Sequence, residues 1–209
     1  MPKPSMLFFL LLPLISALIS LGIPIYKSEY MVLTTIIYLG YALLLFVVKG
    51  ISSAKGKMNW FPKFAGYAMF TAFAFFFIMP LIKIFDGETG IQLLLIVIWL
   101  VLHIVFFVKV ETFYKIVLPT AGEPKPKWTI IYYISFLILA LISGGGNFLV
   151  TRIITDSYGQ EPTMNYFSFV LYSIGCWLGT LAAVMSIGMQ GKLTEVQVKR
   201  KGKKEKVHA

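Results

Sequence analysis

Six long runs of apolar residues constrain the fold of this chain more than any other feature of its sequence. The runs cover residues 6–25, 31–48, 64–81, 91–108, 128–150 and 166–189. A helix needs about 20 mostly apolar residues to cross the hydrocarbon core of a bilayer, and each run is close to that length. Backbone groups in hydrocarbon must be hydrogen-bonded within the protein, and the runs lack the alternating pattern of a β-barrel. We therefore predict an all-α, polytopic transmembrane helical bundle with six spans.

The composition excludes the main alternatives to a membrane protein. Hydrophobic residues make up 58% of the 209 residues and charged residues only 13%, whereas about a quarter of the residues of a soluble domain are charged. The connections between the runs are too short to hold a soluble domain. We expect a multi-pass protein of the cell membrane, and the compact chain with its short loops favours a bacterial plasma membrane.

Lysine and arginine are concentrated in alternate connections, and this predicts the orientation. Sixteen of the 19 basic residues precede the first run, lie between the second and third or the fourth and fifth, or follow the sixth. The other connections contain only Lys27, Lys83 and Arg152. Because cytoplasmic loops carry the excess of basic residues, we predict cytoplasmic N- and C-termini, with residues 1–190 as the transmembrane domain and 191–209 as a basic cytoplasmic tail. Lys83 and Arg152 are expected to be anchors that snorkel to the interface.

His103 is the candidate ionisable residue at hydrocarbon depth, since no Asp or Glu lies inside any run. It could act as a proton relay, a ligand contact or a pH sensor, because imidazole changes charge near physiological pH. The structural alternative, which we favour, is a neutral histidine that is hydrogen-bonded to a neighbouring helix. Tyr41, Thr71 and Thr180 lie at a similar depth and are the expected partners.

The fifth run contains Ser143 and Asn147 on either side of three consecutive glycines. Each glycine weakens a helix by about 1 kcal/mol relative to alanine. Local unwinding would free backbone carbonyls for a binding site, as in broken transporter helices. The alternative is that the glycines permit close helix packing and that Asn147 bonds across the interface.

The sixth run carries two adjacent stripes. Gly175, Gly179 and Ala183 form a small-residue strip that predicts packing against another helix. Tyr172 and Thr180 belong to a polar stripe, which either lines a narrow path or bonds within the bundle.

Motifs for catalysis or cofactor binding are absent from the sequence. There is no HExxH, GxSxG, CxxC or GxxxxGK[ST] pattern, and Cys176 is the one cysteine. We therefore expect no metal, cofactor or catalytic residue. The tail has seven basic residues, which predicts contact with anionic lipid headgroups. It has no interleaved aromatic residues for base stacking, so nucleic acid is not the expected partner.

Three functional hypotheses follow. The first is an accessory membrane subunit that binds a membrane-protein partner, or a second copy of itself, through the strip of Gly175, Gly179 and Ala183. The second is a small channel or uncoupled transporter whose path uses His103, Ser143, Asn147, Tyr172 and Thr180. The third is a lipid-directed membrane enzyme, which lacks positive support in the sequence.

Overall fold

The computed structural model describes residues 5–23, 28–119, 127–142 and 155–190. Its helices are α1 (Met6–Gly22), α2 (Ser28–Ala54), α3 (Phe61–Ile84), α4 (Thr89–Val108), α5 (Val110–Val117), α6 (Lys127–Ile142) and α7 (Gln160–Met189). No strand occurs in the described part of the chain. Of these helices, α2, α3, α4 and the Gln160–Ile187 portion of α7 are long and apolar enough to cross a membrane. The fold is therefore all-helical, with four candidate membrane-spanning helices.

Each of the six apolar runs corresponds to one helix of the structure. Two of these helices, α1 and α6, are shorter than the run that predicts them. α1 has 17 residues and α6 has 16, which corresponds to about 25 Å of length each. Residues 24–25 and 143–150, which complete the first and fifth runs, lie outside the described residues. The helices α2 and α7 extend beyond their runs at their polar ends.

The core of the bundle is the antiparallel pair α3 and α7, which has the most extensive helix–helix contact in the described part of the chain. Within their apolar segments, 61% of α3 and 56% of α7 is buried inside the protein, compared with 11% for both α2 and α4. The two helices approach closely because Gly175 has no side chain. A Cβ at this position would lie only 2.8 Å from the carbonyl oxygen of Ala74 and 2.8 Å from Cγ2 of Ile78.

Side-chain contacts fix the relative directions of the helices. Phe9 contacts Phe61 near the start of both α1 and α3, and Lys83 near the end of α3 bonds Leu21 near the end of α1, so these helices are parallel. Tyr41 in the middle of α2 bonds Phe9 near the start of α1, and Tyr30 at the start of α2 lies beside Lys83 at the end of α3, so α2 is antiparallel to both.

The later helices continue this pattern. Tyr172 bonds Leu95 and Gly179 lies beside His103, so α7 is parallel to α4. Tyr132 bonds Thr180, and Tyr166 bonds Ile142, so α6 is antiparallel to α7. Successive long helices therefore alternate in direction.

The short helix α5 is a separate element that follows α4 after Lys109. The helical hydrogen bonding of α4 ends at Lys109, whose N–H donates to the carbonyl of Val105. Val110 is buried against Ala183 and Ile187 of α7. The break occurs because α5 must turn its apolar side onto α7.

Candidate functional site

His103 lies inside the bundle at the contact of α3, α4 and α7, with 8% of its surface exposed. Its Nε2 atom is 3.3 Å from the Thr71 hydroxyl and 3.3 Å from the Tyr67 hydroxyl. The indole of Trp99 stacks on the imidazole at a centroid distance of 5.3 Å. The contact with Thr71, which was expected because the two residues lie at a similar depth in the membrane, is confirmed. Tyr67 is a second partner, which the comparison of depths did not identify.

The hydroxyl groups of Tyr67 and Thr71 share the Nε2 atom of His103. The hydroxyl proton of Thr71 is donated to the carbonyl of Tyr67 over 3.0 Å, so its oxygen is available to accept from an Nε2–H group, whereas the Tyr67 hydroxyl can either donate to Nε2 or accept from it. Nδ1 has no hydrogen-bond partner among the described residues.

The hydroxyl groups of Tyr41 and Thr180, also expected near His103, bond elsewhere. Tyr41 donates to the carbonyl of Phe9 over 2.7 Å, because α2 also packs against α1 and the Tyr41 side chain reaches that helix. Thr180 donates to the carbonyl of Trp177 over 2.7 Å and lies 3.0 Å from the Tyr132 hydroxyl of α6.

Three of the polar residues proposed for a path, His103, Tyr172 and Thr180, lie in the described part of the chain and do not converge there. The hydroxyl of Tyr172 donates to the carbonyl of Leu95 over 2.8 Å, two turns of α4 away from His103. Thr180 faces α6, whereas His103 faces α3. Ser143 and Asn147 lie outside the described residues.

The strip of Gly175, Gly179 and Ala183 packs inside the chain. Gly175 contacts α3, as described above, and a Cβ on Gly179 would lie 3.2 Å from Cδ2 of Phe106 on α4. Ala183 is 1% exposed and packs with Val110 of α5. A partner protein would therefore need a different surface.

The described structure contains a groove that the sequence did not reveal. α2 and α4 flank one face of α3, and between them lie a cavity of about 450 Å³ and another of about 380 Å³. Both are lined by Ile37 and Phe75, so the two cavities adjoin, and together they are called the lateral groove. The groove follows α2 from Glu29 to Leu44, a length of about 22 Å.

The lateral groove is polar at one end and apolar along the rest. The polar end is lined by Glu29, Tyr30, Asp86, Thr89 and Gln92. The other end is lined largely by apolar and aromatic side chains, including Leu44, Phe64, Ala68, Ala72 and Trp99. This gradient matches the two parts of an amphiphilic molecule.

Hydrogen bonds hold the polar end together. The Tyr30 hydroxyl donates to the Asp86 carboxylate over 3.2 Å. The Gln92 amide donates to the Tyr30 hydroxyl over 3.2 Å and to the carbonyl of Ile82 over 3.2 Å. These bonds tie together α2, α3, α4 and the turn between α3 and α4.

Lys83 does not snorkel to the surface, and the prediction that it is an interfacial anchor is wrong. The side chain is 3% exposed, its Nζ donates to the carbonyl of Leu21 over 3.1 Å, and Nζ lies 6.0 Å from the centre of the Tyr30 ring. Lys83 stays inside because α1 and α2 cover this end of α3 and offer polar partners there.

Little in the sequence points to the polar end. Glu29, Asp86 and Gln92 sit at helix ends, where polar residues are common. Only the packing of three helices brings them together. No three His, Cys, Asp or Glu side chains converge as metal ligands within the described residues.

Comparisons with known proteins add no further constraint, since the chain matches no protein-family model, no curated protein and no solved structure.

Proposed function

We propose that the chain is a six-span protein of a plasma membrane, most simply a bacterial one, with both termini in the cytoplasm. The alternating directions of α1, α2, α3, α4, α6 and α7 support six crossings. The alternating distribution of basic residues supports the orientation. In this orientation the polar end of the lateral groove lies at the outer surface of the membrane.

The proposed function is to bind a membrane-soluble amphiphile, taken laterally from the bilayer. The observation that carries this proposal is the polarity gradient along the lateral groove. Its volume lies in the range of known ligand pockets, about 300–1,000 Å³. Its length of about 22 Å exceeds half of the hydrocarbon core, which is about 30 Å thick, so an acyl chain of one leaflet fits along it.

The geometry supports the binding of an amphiphile better than it supports the passage of a solute through the protein. The centre of the bundle is filled by the α3–α7 contact at Gly175, and the polar candidates His103, Tyr172 and Thr180 each bond separately. The groove instead lies on the side of α3, where a lipid enters without crossing the core.

The test is the amount of lipid that remains bound after purification in a mild detergent, measured by native mass spectrometry. Ala72 lines the apolar part of the groove, so Ala72→Phe fills it and should abolish retention of lipid. Ala54, at the exposed end of α2, does not line the groove. The matched Ala54→Phe variant should keep its lipid, and equal retention by all three proteins would refute the proposal.

An accessory subunit that binds a membrane-protein partner is the second candidate. This candidate is favoured because little of α2 is buried against the rest of the bundle. Of its 27 residues, the buried ones are Thr34, Tyr41, Leu45 and Ser52. Most of this helix is left for contact with lipid or with another helix. A stoichiometric protein that copurifies with the chain, and is lost when Leu39 on the exposed side of α2 is changed to Trp, would support this candidate.

A further inference from the structure

We propose that the lateral groove holds its amphiphile at neutral pH and releases it in acid, because protonation of His103 disturbs the wall of the groove. This inference rests on the proposed function, since it describes the regulation of the same site. It follows from three side chains that both contact His103 and line the apolar part of the groove, namely Tyr67, Thr71 and Trp99.

His103 lies directly behind the wall of the groove. Tyr67, Thr71 and Trp99 line the cavity of about 380 Å³, whereas His103 itself does not. The hydroxyl groups of Tyr67 and Thr71 are each 3.3 Å from Nε2 of His103, and the Trp99 indole stacks on the imidazole. A movement of the imidazole is therefore passed to the wall by direct contact.

The surroundings of His103 have no place for a second ring proton. A neutral imidazole carries hydrogen on one nitrogen, and an imidazolium carries it on both. Nδ1 is buried and has no hydrogen-bond partner among the described residues, and a Cβ on Gly179 would lie 3.5 Å from it. An Nδ1–H group would be buried there without an acceptor, which is unfavourable. Protonation of His103 therefore requires the ring or its neighbours to move.

No charge around His103 compensates for an imidazolium. The titratable group that faces it from α3 is the Tyr67 hydroxyl, and on α7 Tyr172 and Cys176 pack in the same cluster as Trp99. Tyrosine and cysteine ionise at about pH 8 or above. His103 makes no ion pair within the described part of the chain, and an unpaired buried charge is unfavourable.

The apolar cavity links this proton to the amphiphile. In the free protein, Tyr67, Thr71 and Trp99 have room to shift into the cavity and let His103 take a proton from water. An acyl chain that fills the cavity holds them in place. The proton and the amphiphile then exclude one another, so the affinity for the amphiphile falls as the pH falls through the titration of His103 in the free protein.

The experiment measures how much phospholipid stays bound at two pH values. The full-length chain is purified in a mild detergent at pH 7.5, and the phospholipids that copurify from the host membrane are the probe. Samples are washed at pH 7.5 or pH 5.5, and bound phospholipid is counted by native mass spectrometry. We expect about tenfold lower affinity at pH 5.5, because one excluded proton changes affinity about tenfold per pH unit below the titration of a free imidazole, near pH 6.5.

Two histidine variants locate the response. His103→Gln keeps a side chain that can bond the two hydroxyl groups but does not ionise, so its retention at pH 5.5 should equal its own retention at pH 7.5. His208 is the other histidine of the chain. The matched His208→Gln variant should keep the full response of the unmodified protein.

A second measurement does not depend on the folding of a His103 variant. In the His208→Gln protein, His103 is the one histidine left, and the nitrogen chemical shifts of its labelled imidazole report its protonation. At pH 5.5 we expect a protonated imidazole in delipidated protein and a neutral imidazole in protein saturated with the same phospholipids. This difference is the reciprocal of the effect of pH on lipid retention.

The outcomes separate this inference from the proposed function. Equal retention at both pH values, a pH response that survives in His103→Gln, or the same protonation of His103 with and without phospholipid would overturn the pH inference and leave the proposed function standing. The absence of bound phospholipid at pH 7.5, or retention that Ala72→Phe does not reduce, would overturn the proposed function and the pH inference with it.

Discussion

The imidazole of His103 lies directly against Gly179, where a Cβ would come within 3.5 Å of Nδ1. This contact joins one residue that the sequence marks as a polar candidate and one that it marks as a packing residue. Gly179 allows α4 to approach α7 closely enough for His103 to be enclosed. The enclosure directs the other ring nitrogen towards the hydroxyl groups of Tyr67 and Thr71 on α3.

The close contact between α3 and α7 predicts that Gly175→Ala is destabilising. The added Cβ would lie 2.8 Å from the carbonyl oxygen of Ala74, so the helices must separate. We expect the free energy of unfolding in mixed micelles to fall by about 1–3 kcal/mol. A Cβ added to Gly40 on α2 would meet no atom within 4 Å, and Gly40→Ala should leave stability unchanged or slightly raised. Equal losses in both variants would contradict this packing.

The two hydroxyl groups beside Nε2 of His103 predict a non-additive pair of substitutions. Tyr67→Phe and Thr71→Val each leave one hydroxyl within 3.3 Å of Nε2, so each should cost about 0.6 kcal/mol, the average measured for bonds between membrane helices, and at most about 1.7 kcal/mol. The double variant leaves Nε2 without either partner and should cost more than the sum of the two. Unfolding free energies of the four proteins measure this coupling, and simple additivity would argue against a shared partner.

The burial of Lys83 predicts that its amine is protected from chemical modification. Its side chain is 3% exposed, whereas Lys55 and Lys57 are exposed in the connection between α2 and α3. An amine-acylating reagent added to the folded protein should modify Lys55 and Lys57 much faster than Lys83, as measured by peptide mass spectrometry. The difference should disappear on denaturation. Rapid labelling of Lys83 in the folded protein would restore the interfacial-anchor interpretation.

Six crossings predict the side of the membrane on which each connection lies. Single cysteines replace Lys3, Lys57, Glu88 or Lys203 in a Cys176→Ser background and are treated in intact cells with a membrane-impermeant thiol reagent. Glu88→Cys should be labelled. Cysteines at the other three positions should be protected until the membrane is opened.

This labelling pattern separates six spans from smaller numbers. If α1 does not cross, positions 3 and 57 will be on opposite sides of the membrane. If α6 does not cross, positions 57 and 203 will be on opposite sides. Either result would refute the six-span proposal without affecting the four long helices.

Much of the local structure was predictable because helices in a bilayer are defined by the length of their apolar segment. The helices α2, α3, α4 and α7 contain the runs that predict them, and the depth of Thr71 correctly identified it as a partner of His103. The same argument failed for Tyr41 and Thr180. Depth in the membrane restricts which residues can meet, but it does not say which faces of the helices are turned towards each other.

The lateral groove and the burial of Lys83 were not predictable for the same reason. Sequence position puts Lys83 at the end of a span, where a long basic side chain normally reaches water. The packing of α1 and α2 around that end instead supplies the carbonyl of Leu21 and the ring of Tyr30.

The apolar runs alone predicted a helical membrane protein with six spans, because hydrocarbon requires continuous apolar residues and internal backbone hydrogen bonds, and four of the helices, α2, α3, α4 and α7, are long and apolar enough to cross a membrane. Only the packing of the helices shows that the strip of Gly175, Gly179 and Ala183 lies inside the bundle, and that α2 and α4 stand apart over one face of α3. Those outcomes depend on which helix faces meet. In a bilayer this is decided by close van der Waals packing and a few hydrogen bonds, because apolar faces gain little from leaving lipid.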